Sequence, residues 1–248
     1  AMSLTKLIPI PGVINQGVGP ARQATMLQLL GSPRHTYDRE CQSVTNVTLK
    51  PHMTTSSVGP FRVTGFDKAV ASLTKVMSDI RVARPDIYES LGTAGMLCAR
   101  FVRGSEVSIS NHSWGTAVDL TLDGNLDQRG DGLCQQGLAD IAPIFNRHGW
   151  FWGAGFRTED AMHFEVAEDT IRSWFSGEPH VAKILSLGDR GPDVLAVQTK
   201  LNALGFTLIL DGVFGRGTMA QVMAFQHAKG LTVDGVVGPT TAAALGLA

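Results

Sequence analysis

The chain lacks an excess of charge of either sign: 21 lysines and arginines face 22 acidic residues, a net charge of -1 over 248 residues. Nucleic acid or an anionic membrane surface would require a basic field, so neither is an expected partner. Small molecules, peptides and sugars remain. No stretch is apolar over the roughly 18 residues of a membrane-crossing helix. The N-terminus has no charged region followed by a long apolar one, so no secretory signal is recognisable and export would need another route. Cysteine is scarce. Cys41, Cys98 and Cys134 are widely separated and form no CxxC pair of the structural-metal kind. Buried thiols, or one disulfide plus a free thiol, stay open as alternatives.

An internal repeat is present near the C-terminus. Asp211–Thr218 reads DGVFGRGT and Asp234–Thr241 reads DGVVGPTT. Each is an Asp-Gly turn followed by a glycine and a threonine able to cap a helix. Before the first copy, Val194, Val197, Leu201 and Leu204 recur at helical spacing between the start signal Pro192 and the stop signal Gly205. Val222, Phe225 and Gln226 fall in a second expected helix ending near Gly230, and Ala242–Leu245 begin a third. Residues 186–248 therefore read as a small all-α, three-helix domain with a thin core, more suited to an accessory role than to catalysis. Ser176–Ser186, with Gly177 and Pro179, reads as a linker.

Residues 1–175 form the larger expected domain, of α+β class: a small antiparallel sheet flanked by helices. Gln23–Leu30, Phe66–Ile80 and Ala139–Arg147 carry helical patterns. Val107–Ile109, Thr116–Leu122, Gly149–Trp152 and Met162–Val166 read as strands by their β-branched and aromatic content.

Two short segments carry chemistry. Ser110–Asp119 reads SNHSWGTAVD, and Asp160–His163, about forty residues on, reads DAMH. Together they offer two imidazoles, a carboxylate ligand and a spare carboxylate. A catalytic zinc site needs that set: three protein ligands, an open position and a nearby base. His112, Asp119 and His163 are the expected ligands, with Gly115 letting His112 and Asp119 converge despite opposite strand parity. Asp160 is the expected general base. Three residues before His163, it would face the wrong way in a straight strand, so a bend at Ala161 is required. Glu159 and Glu165 are its competitors. Arg100 or Arg103 would face a developing oxyanion. His35, His52, His148, His180 and His227 are expected to be structural; Trp150, Trp152 and Phe156 should form core and cleft wall. HExxH is absent, which excludes the helix-borne metallopeptidase arrangement. A cysteine nucleophile, Cys98 with His112, is a second reading, and a non-catalytic binding protein a third.

At these residues the chain resembles the zinc D-alanyl-D-alanine carboxypeptidases and L-alanyl-D-glutamate endopeptidases of peptidoglycan. Their signature is S-x-H-x-x-G-x-A-x-D followed by [DE]-x-x-H. Ser110, His112, Gly115, Ala117 and Asp119 match it, as do Asp160 and His163. The resemblance implies Zn2+ on His112, Asp119 and His163, Asp160 as base, and Arg100 as a substrate-contacting residue within RFVRG. It runs from about Leu29 to Glu165. MLCAR (Met96–Arg100) departs from the Gly-Tyr-Arg-Ser segment of the vancomycin-resistance members, so strict dipeptidase specificity is not implied. The C-terminal repeat is similar to the three-helix peptidoglycan-binding domain, through Leu187, Gly188, Val194, Gln198, Leu201, Gly205, Asp211, Gly212, Gly215, Thr218, Phe225 and Gln226. Together these imply a lytic enzyme, endolysin-like, whose partner is peptidoglycan and whose place of action is the cell wall; a monomer is assumed. D-Ala–D-Ala, L-Ala–D-Glu and cross-bridge bonds are all open as targets.

Overall fold

The computed structural model describes residues 3–175 and 184–247. The chain divides into two units, Ala1–Trp174 and Phe175–Ala248. Residues 176–183, most of the expected linker and His180 with it, lie outside the described residues.

In the first unit, β1 (Leu7–Pro9) and α1 (Gln23–Leu30) precede the hairpin of β2 (Met53–Ser57) and β3 (Arg62–Phe66). There follow α2 (Asp67–Ala83), α3 (Pro85–Ser90), β4 (Leu91–Gly95), β5 (Ala117–Leu122), β6 (Leu133–Gln135), α4 (Gln136–Arg147), β7 (Trp150–Trp152), β8 (His163–Val166) and α5 (Glu168–Trp174). The main sheet is antiparallel, in the order β4-β5-β8-β7, while β1 pairs with β6. This is the α+β architecture expected.

Side chains alternate between faces along a strand. Val118, Leu120 and Leu122 of β5 point to one face with Phe164 and Val166 of β8, and all are fully buried. Trp150 pairs with Val166 and Trp152 with Phe164, so both indoles share that face. α4 packs there, with the Phe145 and Phe164 ring centroids 4.1 Å apart. α2 reaches it through Ser72, whose hydroxyl accepts the Trp150 indole N–H at 2.9 Å. The opposite face of β5 and β8 carries Ala117, Asp119, His163 and Glu165. One face builds the core and leaves the other free to carry polar groups.

One strand expectation needs correction. Val107–Ile109 is not a strand. A turn at Gly104 (φ 83) precedes it, Val107 is 78% exposed, and only Ile109 pairs, in a single bridge to Phe101. β-branched content without a partner strand does not make a ladder. β2, β3 and β4, which carry serine, threonine or glycine, and the three-residue β1 and β6 escaped the pattern.

The second unit has α6 (Pro192–Ala203), α7 (Arg216–Ala228) and α8 (Pro239–Leu245) around a core of Leu185, Val194, Val197, Leu201, Phe214, Val222, Phe225, Val237, Ala242 and Leu245. The threonines of the repeat do not cap these helices; Gly215 and Gly238 stand at the N-caps. Thr218 and Thr241 lie inside the first turns and bind buried glutamines. Gln198 Nε2 donates to Asp211 Oδ1 (2.9 Å), the Val213 carbonyl (3.0 Å) and Thr218 Oγ1 (3.1 Å). Gln226 Nε2 donates to Asp234 Oδ1 (2.7 Å), the Val236 carbonyl (2.9 Å) and Thr241 Oγ1 (3.1 Å). The repeat in sequence is thus a repeated lock, a buried amide closing each Asp-Gly turn.

Candidate metal centre and cleft

The register of β5 against β8 sets Asp119 directly opposite His163. Residues so paired share a face, and their side chains meet. His112 arrives from a short 3-10 helix, Asn111–Trp114, that ends at Gly115 in the left-handed conformation (φ 67, ψ 29). A Cβ at Gly115 would lie 2.7 Å from the Phe66 nitrogen and 2.9 Å from the Gly65 Cα. Only glycine serves there, and the reversal it permits returns His112 over the strand.

The three side chains converge. One ligand atom from each of His112, Asp119 and His163 lies within 4.8 Å of the others. Asp119 Oδ1 is 3.2 Å from His112 Nε2 and 3.1 Å from His163 Nδ1. Each imidazole is oriented through its far nitrogen. His112 Nδ1 is 3.0 Å from the Met96 carbonyl, which can only accept, so Nδ1 carries the proton and Nε2 keeps its lone pair. His163 Nε2 is 2.9 Å from Glu165 Oε2, which leaves Nδ1 facing Asp119. Metal-ligating histidines are held in this way. The donor set, two imidazole nitrogens and a carboxylate oxygen presented from one side, fits zinc with a position left open.

Charge follows the same geometry. Burial disfavours the Asp119 carboxylate, but the two imidazoles hold it well below the usual range. Burial also opposes protonation of His163, yet its bonds to Asp119 and Glu165 push it up to about 10. The pocket therefore favours a positive charge between these groups, from a proton or a metal.

The other expected residues sort themselves. The chain turns at Ala161 and Met162, the His163 N–H donating to the Asp160 carbonyl at 3.0 Å. That turn brings Asp160 into the same cleft. Gly153 admits it: a Cβ there would lie 2.5 Å from the Asp160 carbonyl oxygen. Asp160 Oδ2 is 3.6 Å from Arg129 Nε, and Oδ1 has no hydrogen-bond partner. Burial raises the pKa of Asp160. Glu165 is engaged at both oxygens, by His163 and by the Ala21 N–H (3.2 Å). Glu159 does not line the cleft. Phe156 does, its ring centroid 5.6 Å from that of His163, whereas Trp150 and Trp152 are fully buried.

The cleft, about 430 Å³, is lined by four arginines: Arg100, Arg103, Arg129 and Arg157. Arg100 Nη1 donates to the Phe101 carbonyl at 3.1 Å. Burial and then neighbouring Arg103 lower the pKa of Arg100. Arg129 and Arg157 were not singled out in the sequence; nothing in a net charge of -1 marks which cations a fold will gather. Cys98 is paired in a disulfide with Cys41 and so offers no thiolate to His112. Cys134 is a free, buried thiol pushed up to about 12, chiefly by burial. His52 and His148 each pair with an aspartate, Asp67 at 3.0 Å and Asp79 at 2.7 Å, and neither lines the cleft.

What the fold and site define first is a class: an α+β unit with a two-imidazole, one-carboxylate pocket, followed in the chain by a three-helix module. Comparison with known families then places both parts. Residues 103–166 match the D-alanyl-D-alanine carboxypeptidase family and residues 190–245 match a peptidoglycan binding domain. The first match contains His112, Asp119, Asp160 and His163; Arg100 lies just ahead of it. Among curated relatives, a spore cortex-lytic enzyme of Oceanobacillus iheyensis is 36% identical over 81 residues, 32% of this chain and 28% of that protein. An N-acetylmuramoyl-L-alanine amidase of Bacillus licheniformis is 42% identical over 92 residues, 36% of this chain and 26% of that one. A solved protein from Clostridium acetobutylicum, described as a fused Zn-dependent amidase/peptidase with a peptidoglycan-binding domain, is 38% identical, with a TM-score of 0.25, covering 25% of this chain and 28% of that one. The chain spans less than a third of the length of each.

Proposed function

We propose that this chain is a cell-wall hydrolase, a zinc-dependent peptidase acting on peptidoglycan stem or cross-link peptides, with its C-terminal module as the wall-binding part. One observation carries the reading: His112 Nε2, His163 Nδ1 and Asp119 Oδ1 face one another, with both tautomers set by Met96 and Glu165. When bound there, zinc supplies a Lewis acid that polarises a carbonyl and activates water near neutral pH. His112, Asp119 and His163 are its ligands. Asp160 takes a proton at Oδ1, the oxygen without a partner, and returns it to the departing amine. Arg129, beside Oδ2, keeps that carboxyl oriented.

Arg100 faces the charge that develops on the carbonyl oxygen. Arg103 and Arg157 form no hydrogen bond or ion pair with a described residue. Their role in this reading is to receive substrate carboxylates, which suits the acidic peptides of the wall better than neutral ones. No helix among the described residues is long and apolar enough to cross a membrane, which accords with action at the wall. Joining a wall-binding module to the hydrolase raises the local concentration of substrate.

Mass spectrometry of fragments released from defined sacculi tests the reading and names the bond. Release should stop with chelator and return with zinc. No release under zinc, with binding to sacculi retained, would leave only a wall-binding protein.

A further inference from the structure

Between α1 and the 3-10 turn Lys50–His52, residues 31–49 form no helix and no strand; their sheet pairing is one isolated bridge, Gln42 to Ala99. This loop lies along residues 98–101. The Gln42 N–H donates to the Ala99 carbonyl at 3.0 Å, the Ala99 N–H to the Gln42 carbonyl at 3.1 Å, and the Phe101 N–H to the Asp38 carbonyl at 2.9 Å. The Tyr37 and Phe101 ring centroids are 5.5 Å apart. One covalent bond joins the two segments, the Cys41–Cys98 disulfide, across 57 residues of chain. Cys41 is exposed and Cys98 half-buried.

The same short segment also bonds to the metal centre. The Met96 carbonyl is 3.0 Å from His112 Nδ1, and the Cys98 N–H donates to the His112 carbonyl at 3.0 Å. The Arg100 N–H donates to Ser113 Oγ at 3.1 Å, and the Arg100 carbonyl accepts the Ser110 N–H at 3.0 Å. The Arg100 side chain lines the cleft. Met96–Arg100 thus carries the group that sets the His112 tautomer, a clamp on the His112 main chain and a cleft guanidinium, with Cys98 in the middle. What backs this segment is a loop, and the main-chain bonds of a loop open at small cost. The disulfide is the part of that backing that does not fray.

We infer that the Cys41–Cys98 disulfide is a redox switch on the metal centre: closed, it holds Met96 and Arg100 in place; open, it releases them. The inference rests on the reading of the site as a zinc peptidase and names its regulation. Opening takes a dithiol reductant. One of its thiolates attacks the exposed Cys41 sulfur, the S–S bond breaks, and Cys98 leaves as a thiolate and takes up a proton. The second thiol of the reductant then displaces Cys41, which is protonated in turn. Two electrons and two protons pass to the cysteine pair, and the reductant departs as a cyclic disulfide. The site is then off in reducing surroundings and on in the oxidising ones where disulfides persist.

The test compares the full chain oxidised, reduced with dithiothreitol, and reoxidised, each freed of reagent under nitrogen because thiols bind zinc. The oxidised chain should show one free thiol in denaturant, that of Cys134; finding all three cysteines free would overturn the inference. Zinc affinity, read by competition with a chromophoric chelator, should weaken about tenfold on reduction, the scale of losing the group that orients a ligating histidine. It should return on reoxidation, with far-UV circular dichroism unchanged throughout. Turnover of a stem peptide at saturating zinc should fall at least about tenfold on reduction. A Cys41→Ser/Cys98→Ser double variant should sit at the reduced values and respond to neither reagent, whereas Cys134→Ala should respond as the wild type does. If the double variant does not fold, the reduced wild type alone decides. Unchanged affinity and turnover on reduction overturn the inference. So does loss of the circular dichroism signal, which would make the disulfide a staple of the fold and not a switch. Zinc affinity that follows reduction in a chain that cleaves no peptide would sink the peptidase reading and leave the switch standing.

Discussion

The two units use buried polar residues in opposite ways. In the C-terminal unit Gln198 and Gln226 are each 1% exposed, and their amides are filled by turn carbonyls, carboxylates, threonine hydroxyls and backbone N–H groups. In the N-terminal unit buried groups are left with capacity unused. Every buried side-chain oxygen without a partner among the described residues, in Gln42, Asp127, Gln135, Glu159 and Asp160, lies there. A satisfied polar network closes a structure, whereas Asp160, the one of these five residues that lines the cleft, keeps an oxygen available to a ligand or a proton.

The largest effect expected from breaking this contrast is at the metal centre. With zinc on His112, Asp119 and His163 as proposed, His163→Ala should lower peptide release roughly a thousandfold, since the two ligands left would hold the ion poorly. Binding to sacculi should be unchanged, measured by co-sedimentation. Asp160→Ala, which keeps all three ligands, should cost at least about a hundredfold in turnover with zinc content intact. A smaller loss would move the role of base elsewhere.

In the other unit the effect should be on folding instead. Gln226→Ala leaves Thr241, Asp234 and the Gly235 N–H without their partner. It should destabilise the module by about 2–4 kcal/mol. Sacculus binding should fall while cleavage of a soluble peptide persists. Equal loss of both would mean that the two units do not act separately.

The smallest effect concerns Glu168, which ties α5 to α1 by accepting from Thr25 (2.5 Å) and the Arg22 N–H (2.9 Å). Despite opposing burial, these bonds lower it from 4.5 to about 2. A carboxylate whose folded pKa is depressed stabilises the fold above its unfolded pKa, and that contribution fades as pH falls from 4.5 through 2. Glu168→Gln should therefore lose about 1–2 kcal/mol at pH 7 and little at pH 2, read from urea unfolding at both. An equal loss at both would assign the effect to packing.

Much of this was legible before any coordinates. The spacing of Val194, Val197 and Leu201 marks α6, and the doubled Asp-Gly turn marks the approach to α7 and α8; the glutamines that close those turns were not foreseen, and the threonines expected as caps lie inside the first turns. The bend at Ala161 follows from strand parity alone, since Asp160 and His163 are three apart. The Asn111–Trp114 turn was invisible beyond Gly115, because no periodicity identifies a single 3-10 turn. β2, β3 and β4 were missed because their serine, threonine and glycine content is that of loops, and only pairing makes them strands. The second ring of the centre was half seen. Glu165 could be suspected two residues from His163, but the Met96 carbonyl carries no side-chain signal at all.

The sequence by itself determined the inventory: which residues can bind a metal, where glycine must reverse the chain, and which apolar positions repeat. Those are properties of side-chain chemistry and local backbone freedom. Tertiary structure alone decided that four arginines share a cleft in a chain with almost no net charge. It alone set Asp119 across from His163, and it alone left buried side-chain oxygens, that of Asp160 among them, without donors. Register and burial depend on residues far apart in the chain, and no local pattern records them.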